Sequence, residues 1–96
     1  MSRLRLTPAA QADLEAIYDY SLERWGATRA ERYILDIRDA CAALADGTRV
    51  GNAVDDIRPG YHRLVVGSHV VFFKPTVERI DVMRILHGRM DVTRHL

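Results

Sequence analysis

Arg79-Ile80-Asp81-Val82-Met83-Arg84-Ile85-Leu86-His87-Gly88-Arg89-Met90-Asp91 is the stretch on which the reading of this chain turns. From Arg79 to Leu86 it is rich in β-branched and aliphatic residues, and His87-Gly88 then forces a turn. This is how a buried strand leaving the core reads. Asp81 and Arg84 interrupt the apolar run, and His87, Arg89 and Asp91 concentrate charge at the exit. The stretch is therefore expected to be the last, central strand of a sheet.

Working back from it, Pro75-Thr76 separates it from Val70–Lys74, and Gly67-Ser68 separates that run from Tyr61–Val66. A Gly-X pair between two β-rich runs suits a tight hairpin turn. The three runs form an antiparallel meander whose apolar face needs a cover. Residues 48–56 lose periodicity and contain Gly51, which marks a loop.

The cover comes from the N-terminal half. Leu4 and Leu6 alternate with Arg3 and Arg5, as in a short edge strand. Thr7-Pro8 reads as an N-cap followed by proline at the first helical position. Leu14, Ile17, Tyr18, Ser21, Leu22 and Trp25 then recur at helical spacing, with Gln11, Asp13, Glu15, Asp19 and Glu23 opposite, until Gly26. Thr28-Arg29-Ala30-Glu31 has the form of a capping box for a second helix. Its stripe is Ala30, Tyr33, Ile34, Ile37, Cys41 and Leu44, and Gly47 follows. So short a linker makes the two helices antiparallel neighbours. The expected fold is α+β, in two layers of order β-α-α-β-β-β, with a helical hairpin packed on a mainly antiparallel sheet, in one domain over residues 1–96.

Composition agrees with this. The chain is 48% apolar and 28% charged, the balance of a globular protein. One cysteine, Cys41, rules out an intramolecular disulfide and suggests the cytoplasm. Neither a signal-peptide core nor an apolar run of about 18 residues occurs, which argues against secretion and membrane insertion. Charge is unevenly distributed. Up to Ile57 the chain carries −3, and from Arg58 onward +4, with all four histidines in the second part. A cationic C-terminal surface suits an acidic partner. His62, His69, His87 and His95 lack the spacing of paired metal ligands, and the glycines form no phosphate loop, so neither metal nor cofactor is expected. Trp25 and Tyr33 read as core aromatics, Cys41 as a small buried hydrophobe. Arg5, Arg58 and Arg63 could meet an acidic partner segment.

Four segments in order carry a resemblance: LTPAAQADLEAIYDY (6–20), RWGATRAERYI (24–34), YHRLVVGSHVVFF (61–73) and VMRILHGRMD (82–91). Together they resemble the ParE branch of the RelE/ParE toxins of bacterial type II toxin-antitoxin pairs. The resemblance implies a growth-inhibiting toxin that poisons DNA gyrase without catalysis of its own. It also implies a ParD-like antitoxin that neutralises the toxin in a hetero-oligomer, with specific DNA binding left to that antitoxin. Toxicity is then expected at Arg84, His87, Arg89, Met90, Asp91 and Leu96, and antitoxin contact at Leu4, Arg5, Tyr33, Arg58 and Arg63. The RelE branch, which cleaves messenger RNA on the ribosome, implies an alternative using Arg63, Lys74, Arg84 and His87. No tyrosine follows Tyr61 to supply that branch's C-terminal acid-base group.

Overall fold

The computed structural model describes residues 3–96. Strand β1 (Leu4–Leu6) leads into helix α1 (Pro8–Trp25) and helix α2 (Ala27–Asp46). Then come β2 (Asn52–Ala53), β3 (His62–Val66), β4 (His69–Pro75), β5 (Ile80–His87) and a single-turn helix α3 (Val92–His95). The architecture is α+β as expected, with two further short elements, β2 and α3.

The sheet is larger than a three-stranded meander. Its order is β1-β5-β4-β3-β2, so the anticipated last strand is indeed internal. β1 lies parallel to β5, pairing Leu4 with Ile80 and Leu6 with Val82, and all other pairings are antiparallel. A register shift at Phe72/Phe73 lets β5 bulge around Met83-Arg84.

Helix α1 begins where Thr7 accepts the N–H of Ala10 through its hydroxyl, with Pro8 at the first position. It buries Ala10, Leu14, Ile17 and Ser21. Leu22 and Trp25, expected on the same stripe, are exposed instead, Trp25 at 45%. Trp25 meets Tyr20 edge-on, with ring centroids 6.5 Å apart, and carries the Arg29 guanidinium over its face. The capping box at Thr28 does not form either. Gly26, at φ 86°, ends α1 by donating to the Leu22 carbonyl and starts α2 by accepting from Ala30, so one residue serves both helices. Thr28 already lies inside the first turn.

Both faces of the sheet are covered. On the helical side Leu14, Ile17, Ile37 and Cys41 pack on Val71, Phe73, Val82 and Ile85. On the other, Phe72 and Leu86 meet Val54 and Tyr61 from the 48–61 loop, with Val92 and Leu96 from the C-terminal segment. The helical hairpin is therefore not the sole cover. A strand such as β5, apolar on both faces, requires two.

Candidate functional site

β5 delivers the candidate residues to two different places. Its upper edge is left free where β1 ends, and α1 closes it with side chains. The Thr7 hydroxyl donates to the Met83 carbonyl at 2.8 Å. Asp13 accepts the Ile85 N–H at 2.9 Å and takes the Arg84 guanidinium at 2.7 and 2.8 Å. Arg84, anticipated as a target contact, is thus half-buried in a two-pronged ion pair, which raises its pKa. Its remaining nitrogen donates to the His95 carbonyl at 3.2 Å. Asp13, expected on the solvent side of α1, is the partner that sequence periodicity missed.

Arg58 also reaches the C-terminal segment, donating to the Leu96 carbonyl while its guanidinium lies 5.3 Å from the Tyr61 ring centroid. Leu96 is half-buried against the second core. Asp91 caps α3 by accepting the Thr93 N–H at 3.1 Å, and Met90 is exposed. Arg84, Arg58 and Leu96 therefore form one cluster about the C-terminal segment. Leu4 and Arg5 sit elsewhere, on β1 at the far edge of the sheet.

The second place is a groove of about 1060 Å³ between the α1–α2 junction, the β3–β4 hairpin and the exit of β5. Tyr33, Arg63, His87 and Arg89 line it, joining two of the expected antitoxin contacts to two of the expected toxicity residues. Tyr33 organises its centre. Its hydroxyl lies 2.6 Å from Nδ1 of His69 and accepts the Ser68 N–H at 3.1 Å. Burial raises the Tyr33 pKa. Gly67, at φ 57°, lets the hairpin pass against this ring, since a Cβ there would stand 2.8 Å from the Tyr33 hydroxyl. His69 meets His87 edge-on at 5.3 Å between ring centroids. Burial and the neighbouring His87 both lower the His69 pKa. His87 is exposed and accepts the Arg89 N–H on Nδ1 at 3.1 Å.

Sequence reading did not single out Trp25, Arg29, Arg32 or His69 as part of a site. The available signal was the crowding of Arg24, Trp25, Arg29 and Arg32 around Gly26. The RNA-cleaving set is only partly assembled, because Arg63 and His87 line the groove whereas Arg84 is drawn away by Asp13. Among the described residues no cluster of His, Cys, Asp or Glu is placed to hold a metal. No helix there is long and apolar enough to cross a membrane.

The family model described as ParE toxin of type II toxin-antitoxin system, parDE, matches residues 4–92, which spans every strand and both long helices. The chain belongs to the ParE toxin family. It is 50% identical over 96 residues to Toxin ParE1 of Mycobacterium tuberculosis, covering 99% of this chain and 98% of that one. It is 36% identical over 96 residues to Toxin ParE1 of Caulobacter vibrioides, covering 100% and 99%. A solved structure described as the chromosomal ParDE TA system from P. aeruginosa matches with a TM-score of 0.77 at 26% identity, over 91% of this chain and 96% of that chain. As a ParE-family protein, this chain is the toxin of a type II toxin-antitoxin system.

Proposed function

We propose that this ParE-family toxin inhibits DNA gyrase in the cytoplasm, blocking replication and growth without catalysis of its own. A ParD-like antitoxin neutralises it by direct binding in a hetero-oligomer. The observation that carries this reading is the match to ParE toxins along nearly the whole chain. The fold offers a compatible surface: the internal strand β5 ends in the exposed run His87–Asp91, with the groove on one side and α3 on the other. We assign target contact to that run together with Arg84 and Leu96, the last two acting through the shape of the C-terminal segment. Antitoxin contact is assigned to Leu4, Arg5, Tyr33, Arg58 and Arg63.

The second reading is cleavage of messenger RNA. In its favour, Arg63 and His87 share a groove, and against it stands the capture of Arg84 by Asp13. One experiment separates the two: purified gyrase is assayed for supercoiling and trapped cleaved DNA with the toxin added, beside translating ribosomes assayed for cut message. Lost supercoiling with cleaved plasmid is the expected result. Intact gyrase with cut message, abolished by His87→Ala, would replace it with the nuclease reading.

A further inference from the structure

Five arginines enter the groove from four parts of the chain: Arg24 from α1, Arg29 and Arg32 from α2, Arg63 from β3, and Arg89 from beyond β5. All of them are exposed, and among the described residues the one carboxylate lining the groove is that of Asp36. The ion pairs among those residues are Arg79–Asp81, Arg84–Asp13 and Arg94–Asp91, so none of the groove arginines has an acidic partner there. Arg24 and Arg29 lie over the Tyr20 and Trp25 rings, 5.6 and 5.8 Å from their centroids. An aromatic face steadies a guanidinium but leaves its N–H edge open.

The two histidines add donors to this surface, not acceptors. Nδ1 of His87 accepts the Arg89 N–H, so that ring carries its proton on Nε2. The Tyr33 hydroxyl proton has two acceptors in reach, Nδ1 of His69 at 2.6 Å and the Val66 carbonyl at 3.4 Å. The nearer one takes it, and His69 likewise keeps its own proton on Nε2. Burial holds the His69 pKa down, which leaves this ring a neutral N–H donor. Neither Nε2 has a hydrogen-bond partner among the described residues, and neither offers a lone pair to a metal.

The groove is therefore rich in donors and poor in acceptors, over a width that needs several segments to line it. Repeated oxyanions at regular intervals match such a surface, and a sugar-phosphate backbone supplies them. The aromatic geometry decides between single and double strands. Tyr20 and Trp25 meet at 90° with their centroids 6.5 Å apart, and give no platform on which the successive bases of a single strand could stack. A duplex carries its phosphates on the outside, where a concave basic surface meets them without touching the bases.

We propose that this groove binds the sugar-phosphate backbone of double-stranded DNA, without sequence preference, through Arg24, Arg29, Arg32, Arg63 and Arg89. The proposal rests on the gyrase reading and deepens it: the toxin grips the DNA that gyrase holds as well as the enzyme, and Arg89 brings the exit of β5 against that DNA. The grip is salt-dependent, because each phosphate neutralised releases counterions.

The test measures binding of the whole chain to a labelled DNA duplex of two helical turns by fluorescence anisotropy, with no gyrase present. Between about 50 mM and about 200 mM salt the affinity should fall by roughly 500-fold, a log–log slope of about −4.5 for one phosphate per groove arginine. Arg24→Gln, Arg29→Gln and Arg89→Gln, all at exposed positions, should each flatten that slope by about 1. Arg49→Gln, exposed but outside the groove, should leave it unchanged. In the supercoiling assay the Arg24→Gln/Arg29→Gln double variant should need several-fold more toxin to trap the same amount of cleaved DNA. No duplex binding at about 50 mM salt, or equal losses for Arg49→Gln and the groove variants, would overturn the groove proposal even where gyrase is poisoned. A single-stranded oligonucleotide or polyglutamate that binds more tightly than the duplex would overturn it too. Duplex binding with the expected slope beside an untouched gyrase would uphold the DNA site and overturn the gyrase reading instead.

Discussion

Asp13 and Arg84, 71 residues apart, are joined by two hydrogen bonds of 2.7 and 2.8 Å. The carboxylate oxygen of the shorter bond also accepts the Ile85 N–H. One side chain of α1 thus continues the sheet edge where β1 stops. It also fixes the arginine whose far nitrogen holds the His95 carbonyl. The same contact docks helix to sheet and orients the C-terminal segment.

Removing the carboxylate should expose that dependence. Asp13→Ala leaves a half-buried guanidinium and an orphaned N–H, and should cost about 2 kcal/mol. For a domain of this size that lowers the melting temperature by roughly 10 °C. Asp13→Asn keeps an acceptor for Ile85 and should lose about half as much. Thermal unfolding followed by circular dichroism checks both, and equal melting points for the alanine variant and the parent would refute the docking role.

Trp25→Ala should scarcely affect stability, by less than about 1 kcal/mol, because the indole is 45% exposed and its ring partner Tyr20 is exposed as well. If the antitoxin covers Tyr33 and Arg63 as proposed, the same substitution in the groove they share should weaken its binding by at least about tenfold. Urea unfolding and a binding titration on one preparation distinguish this outcome from the large destabilisation a core tryptophan would show.

Burial pushes the Cys41 thiol up to about 11 from its ordinary 9.0, with Arg38 opposing only weakly. The native thiol should therefore resist disulfide reagents near neutral pH and react at once on unfolding. The folded protein binds this proton more tightly than the unfolded chain does. Stability from this group is thus present below pH 9.0 and lost as pH rises through about 11. Chemical denaturation across that range measures the loss, which Cys41→Ala should remove.

Arg58→Ala should free the C-terminal segment without unfolding the sheet, since it removes the bond to the Leu96 carbonyl and the guanidinium over Tyr61. Faster amide exchange confined to residues 92–96 and a stability change under about 1 kcal/mol are expected. If toxicity depends on the shape of this segment, growth inhibition should fall in step. Exchange spreading into β3 and β4 would instead assign Arg58 to the core.

Much of the fold was legible because local chemistry agreed with global packing. Thr7-Pro8 started a helix, Gly67-Ser68 turned a hairpin, and the Arg79–Leu86 run lay inside the sheet. The errors on α1 have one origin. Asp13 followed the helical pattern of a solvent-facing residue, and Trp25 and Leu22 that of core residues. Periodicity reports which face of a helix a residue occupies, not what distant segments place against that face. The site was legible in part. Tyr33, Arg63, His87 and Arg89 were named from sequence and meet in one groove; Arg32 was marked only by the basic crowding around Gly26, and nothing local marks the convergence of His69.

The sequence by itself determined the order of the main elements, the internal last strand and its basic exit, because turns, caps and apolar periodicity act between residues a few positions apart. Tertiary structure alone decided that β1 runs parallel to β5, that Asp13 closes the sheet edge, and that arginines from four segments share a groove with two histidines. Those outcomes depend on how strands pair across the chain and on charges brought together from distant segments. Neither quantity is encoded in any short window of the chain.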